Sequence, residues 1–255
     1  EAPPPLPPVA SPPPSRLDLD EPTRWRWLLL GCVLAWIPAG TFSTMFPWFL
    51  CAIPHEMGHA TVGCLLGRPS APAISLGGHA WTGIADRNAV VVALVALSAA
   101  AGAFLSFRRG RRALAATCAA LAIALPLVSY AELAEVLISV GGHLGEVAFA
   151  GYCFSLVFTG GKTGTPQERT AAAFAGALVQ AVNVKLCFGL MTSQPARDHY
   201  GSNGSLGLKN DYLVLAEDLL HCKLQSVAGG MMLASLALPL VGLGIGLWLA
   251  SRDDA

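Results

Sequence analysis

Apolar runs of membrane-crossing length constrain this chain more than any other feature. They fall at about residues 27–45, 46–66, 89–107, 113–130, 133–158, 171–191 and 227–250, and a helix needs roughly 20 apolar residues to cross the hydrocarbon layer of a bilayer. Of the 255 residues, 54% are hydrophobic and 13% charged, whereas about a quarter of a soluble domain is charged. The expected fold is therefore an all-α polytopic membrane protein with six or seven transmembrane helices. Pro38 and Gly40 interrupt the first run, which predicts a half-span there. Zero formal charge leaves no basic footprint for nucleic acid, so the bilayer is the expected partner and nucleic acid is not. Arg108, Arg109, Arg111 and Arg112 form the strongest positive cluster and favour the cytoplasmic side for that turn.

Residues 1–23 are rich in proline and end near Asp18, Asp20 and Glu21, the composition of an extended, disordered leader. The membrane-embedded domain then covers 24–255. The chain opens on Glu1 rather than methionine, as a fragment or processed product would, and the leader carries no n-region and cleavage site of signal-peptide form. The seven cysteines are scattered through apolar stretches and outline no disulfide framework or CxxC site. They are expected to behave as small buried hydrophobes.

Within the second apolar run stands Pro54-His55-Glu56-Met57-Gly58-His59. On a helix, residues four apart share a face, so His55 and His59 project together and can hold one metal ion. Glu56 is too close in sequence to join them from the same face, but is placed to take a proton from water activated by the metal. Zinc would bring the pKa of such a water to about 7, which is the chemistry of peptide hydrolysis. Two histidines and a carboxylate inside an apolar helix are costly unless they pair or bind something. The plainer alternative is a hydrogen-bonded polar cluster that only packs helices.

After the motif helix, Ile74-Ser75-Leu76-Gly77-Gly78-His79-Ala80-Trp81 predicts a short β-hairpin with a Gly-Gly turn. An open strand edge is not viable in lipid, so the hairpin belongs at the surface or beside a wet cavity, where a substrate strand can add to its edge. His79 is expected to be a polar residue beside the turn.

Catalytic zinc usually takes three protein ligands, and two regions compete to supply the third. Glu132, Glu135, His143 and Glu146 fall within an arc of roughly 80° on one predicted helix, a polar stripe that must face the bundle interior or water. Gly141, Gly142 and Gly145 would let a neighbouring helix come close. Glu132 and Glu135, near the start of the segment, fit a snorkelling or helix-pairing role, while His143 and Glu146 lie deeper. The second region is Gly207-Leu208-Lys209-Asn210-Asp211-Tyr212-Leu213-Val214-Leu215. There Asn210 suits a helix N-cap and Asp211 the first turn, which the helix dipole alone would explain. Asp218 fits a solvated face and His221 an interfacial position. Gln180 and Asn183, with Lys185 nearby, interrupt the sixth run and are either inter-helix hydrogen-bond partners or site lining.

These motifs together resemble the site-2-protease-like intramembrane zinc metallopeptidases, small bacterial HExGH membrane proteins in particular. The resemblance spans about residues 46–222 and rests on His55-Glu56-Met57-Gly58-His59, the Gly-Gly hairpin, Gly141-Gly142-His143-Leu144-Gly145-Glu146 and Asn210-Asp211-Tyr212-Leu213-Val214-Leu215. It implies a zinc-dependent endopeptidase of the bacterial inner membrane acting on membrane-anchored proteins or peptides. His55, His59 and Asp211 would bind zinc, Glu56 would be the general base, and His143, Glu146 and Asn183 would support the ligands or an oxyanion. The family's usual Leu-Asp-Gly or Asn-Pro-Asp-Gly does not occur here, so Glu146 and His143 stay beside Asp211 as candidate third ligands. A non-catalytic membrane protein, a metal-binding scaffold or transporter-like chain with a degenerate motif, is the alternative.

Overall fold

The computed structural model describes residues 21–41, 45–75, 78–159, 165–202 and 209–253. Nearly all of the leader, Leu76 and Gly77 of the hairpin turn, and Gly207 and Leu208 of the late motif lie outside these. In chain order come α1 (Glu21–Thr41), α2 (Met45–Leu65), the strands β1 (Ser70–Ile74) and β2 (Ala80–Ile84), α3 (Ala89–Arg108) and α4 (Arg112–Ser129). Then follow α5 (Leu133–Thr159), α6 (Pro166–Thr192), α7 (Gln194–Ser202), the short α8 (Asp211–Leu213), which runs into a π-helical turn (Val214–Leu219), and α9 (Leu224–Asp253). Five of the helices, α3, α4, α5, α6 and α9, are long and apolar enough to cross a membrane. Outward faces carry large apolar side chains such as Leu97, Phe107, Ile123 and Leu233, the surface that lipid rather than water stabilises.

One expectation is corrected: α1 is a continuous helix through Pro38 and Gly40 and is not broken there. Pro38 lies close to its end, where a missing N–H and a kink disturb few remaining turns. Local chemistry explains other starts. Asn88 accepts hydrogen bonds from Val90 N and Val91 N and caps α3. Thr165 accepts from Glu168 N ahead of Pro166, so α6 begins before its apolar run does.

At the centre lies α5, packed against α2, α6 and α9. Its contact with α2 is made by glycines: a Cβ on Gly58 would stand 2.1 Å from Gly141 O, and one on Gly145 would stand 2.2 Å from Pro54 O. Toward α9 the same device recurs, with a Cβ on Gly242 only 2.3 Å from Gly151 O. Without a hydrophobic difference between lipid and side chain, such backbone approach is what holds membrane helices together. Leu66, Ala134 and Ile138 clamp the end of α2 to the start of α5. Cys187, Leu190, Tyr212, Leu215, Ala228 and Met231 bury α8 between α6 and α9.

The hairpin is antiparallel, with Ser70 opposite Ile84 and Ile74 opposite Ala80, and it packs on α2. The seven cysteines are all unpaired.

Candidate metal centre

His55 and His59 emerge from the same face of α2, as their four-residue spacing requires. Across from them Asp211 opens α8. His55 Nε2 lies 2.8 Å from Asp211 Oδ2, His59 Nε2 lies 3.1 Å from the same oxygen, and the two Nε2 atoms are 3.1 Å apart. Ligand atoms about 2.0–2.1 Å from a tetrahedral zinc stand roughly 3.3 Å from one another. The three donors, two imidazole nitrogens and one carboxylate oxygen, thus fit that ion in both chemistry and spacing.

Their outer atoms are held as well. His59 Nδ1–H donates to Ile138 O at 2.7 Å, leaving Nε2 bare toward the centre. His55 Nδ1 faces Glu146 Oε1 at 3.4 Å. A backbone carbonyl or carboxylate behind a ligating imidazole sets its tautomer and raises its basicity. Glu146 therefore stands behind the histidines rather than among the converging donors, and of the two candidate carboxylates the geometry favours Asp211 as third ligand. Glu146 Oε2 also meets His143 Nδ1, at 2.8 Å, so one buried carboxylate serves both imidazoles.

Gly142 makes room for the cluster. A Cβ there would lie 2.4 Å from His59 Nε2 and 2.6 Å from His55 Nε2. No residue but glycine can occupy this point of α5 while both rings stay in place.

Glu56 is buried on α2, and its Oε2 accepts a 2.6 Å hydrogen bond from Thr82 Oγ1, which also reaches Glu56 O at 3.0 Å. The hairpin thus grips the motif through an inward-facing hydroxyl of β2. Sequence reasoning did not single out Thr82; period-two alternation put it opposite Trp81's face, but nothing in the chain marked which face meets α2.

Tyr212 follows Asp211 in the late motif, and nothing in the sequence marked it as a neighbour of the cluster. Its ring is fully buried and packs on His143 with centroids 4.2 Å apart, while its hydroxyl is 3.5 Å from Cys187 Sγ.

The remaining sequence candidates separate. Asn183 is buried, but its amide donates to Val179 O one turn back in α6, and among the described residues it makes no hydrogen bond to the cluster. Gln180 reaches Ser235 O on α9, a helix-pairing role. Asn210 sits at the N-cap of α8 without a capping side chain, because its amide donates to Tyr200 O instead. Glu135 pairs with Arg68, tying α5 to the loop after α2, and Glu132 is exposed. Asp218 and Glu217 hold Lys209, whose pKa they raise. His221 turns back on Glu217 O and His79 is exposed, so neither joins the centre.

The polar cluster is thus assembled from three separated segments, the motif helix, the middle of α5 and the start of α8. Compared with family models, curated proteins and solved structures, the chain matches none.

Proposed function

We propose that the protein is a zinc-dependent intramembrane endopeptidase of the site-2-protease-like kind, in a bacterial inner membrane, cleaving membrane-anchored proteins or peptides. The observation that carries this reading is the convergence of His55 Nε2, His59 Nε2 and Asp211 Oδ2 within 3.1 Å of one another, on helices built for a bilayer. In it, α1 and α2 also lie within the membrane and complete seven spans.

His55, His59 and Asp211 would hold the zinc. When bound there, zinc supplies Lewis acidity, polarising a peptide carbonyl and lowering the pKa of water to about 7. Glu56 takes the proton from the attacking water and passes it toward the leaving amine, its carboxylate aimed by Thr82. Glu146 orients His55, and Ile138 O orients His59. His143 stands beside His55 and Asp211, whereas Asn183, bonded back to Val179 O, takes no part in this reading. A substrate reaches so enclosed a site as a locally unwound helix or an extended strand laid along the hairpin.

One observation favours a second reading. The hydrogen bond of the Glu56 carboxylate goes to Thr82 and not to the imidazoles, which also suits a metal-binding or transporter-like protein that hydrolyses nothing. The variant Glu56→Gln separates the two. Purified in detergent, both it and the wild type should hold about one zinc per chain, while the variant should lose cleavage of a membrane-anchored reporter by at least ~100-fold. Cleavage at the wild-type rate would remove Glu56 from the reaction, and a wild type that binds zinc but cleaves no membrane-anchored substrate would support the second reading.

A further inference from the structure

Beside the three converging donors stands a third imidazole that the proposed ligand set leaves unused. We infer that His143 is a fourth protein donor that, at rest, fills the position a substrate carbonyl or water would take, so that three imidazoles and one carboxylate close the centre until substrate displaces it. This rests on the metal-centre reading above and adds to it.

The placement of the ring points this way. Glu146 Oε2 engages His143 Nδ1 at 2.8 Å, which leaves Nε2 as the nitrogen that faces the cluster, 4.0 Å from Asp211 Oδ2. That separation is beyond hydrogen bonding and about 0.7 Å beyond the roughly 3.3 Å between neighbouring ligands of a tetrahedral zinc, a gap that a shift of the ring toward a bound ion closes. His55, His143 and Asp211 each place one donor atom within 4.8 Å of the others.

Packing argues against a loose ring. His143 stands edge-on to His55, with centroids 4.6 Å apart and planes at 85°, and its other side rests on Tyr212. Glu146 backs His55 and His143 through its two oxygens, giving both the same carboxylate–imidazole arrangement that sets a ligating nitrogen. A histidine present only to fill space would not need its Nδ1 fixed by the carboxylate that also fixes a ligand's.

X-ray absorption on the zinc-loaded full chain in detergent, wild type beside His143→Ala and His143→Gln, tests this directly. Three imidazoles are expected in the wild type and two in each variant, with zinc affinity falling on the order of 100-fold in the variants. In the cobalt-loaded protein, added azide should leave the wild-type visible spectrum unchanged and shift that of His143→Ala, whose fourth position is open. Two imidazoles in the wild type would overturn the inference while leaving the three-donor centre intact. Absence of any bound metal in the wild type would overturn both. Because the wild-type count decides by itself, failure of either variant to fold does not rescue the idea.

Discussion

At the residue scale, the centre depends on atoms that are absent as much as on those present. The missing side chain of Gly142 leaves space for two imidazole nitrogens, since a Cβ would intrude to 2.4 Å and 2.6 Å from them. Gly142→Ala should therefore lose zinc while keeping its helical far-ultraviolet spectrum, because alanine suits a helix better than glycine does. Zinc retained at one per chain would show that the rings have other room to occupy. Thr82 acts from outside the motif. Its hydroxyl holds the Glu56 carboxylate, so Thr82→Val should lower turnover about tenfold by leaving the base unaimed, with metal content unchanged. Equal turnover in that variant would make the contact one of packing. Glu146 illustrates why residue type alone could not assign roles: a carboxylate can ligate a metal or stand behind an imidazole, and only its distance from Nδ1 rather than Nε2 decides.

At the element scale, α2 and α5 carry most of the centre, and their crossing is set by backbone touching backbone. Gly58→Ala would put a methyl 2.1 Å from Gly141 O, with Gly145 Cα at 3.0 Å. Neither neighbour can swing aside, so the helices must part. The expected cost is about 1–3 kcal/mol, read as a lowered midpoint of thermal unfolding in detergent together with weakened zinc binding. An unchanged midpoint would mean that the crossing is more compliant than its distances imply. α8 is the opposite kind of element, too short to stand alone. It exists because Tyr212 and Leu215 are buried among α5, α6 and α9 residues, and the π-helical turn that follows it, a feature frequent at functional sites, departs from helix period. Helix period along α5 did sort its polar residues: the two near its start reach Arg68 or the exterior, while the two deeper ones join the cluster.

At the scale of the whole molecule, α3 and α4 form a helical hairpin that packs mainly on itself, while the candidate metal centre lies among α2, α5 and α8. The turn between α3 and α4 is exposed, with Gly110 at φ 70°. Limited trypsin digestion in detergent should nick the chain at Arg109 or Arg111 and leave zinc bound to the nicked protein; release of zinc on nicking would show that the hairpin supports the centre. The sequence by itself determined the helical, membrane-type architecture, because length and apolarity of a run are local properties that lipid selects directly. It also placed His55 and His59 on one face, because four residues make about one turn, and located a hairpin whose strands flank the Gly-Gly pair. Tertiary structure alone decided the rest. That Asp211 meets the histidines across more than 150 residues of chain, that Glu146 serves two rings, that Thr82 takes hold of Glu56 and that Asn183 turns back into its own helix all depend on how helices cross. No local period encodes that crossing, which is set by where small residues let two backbones approach.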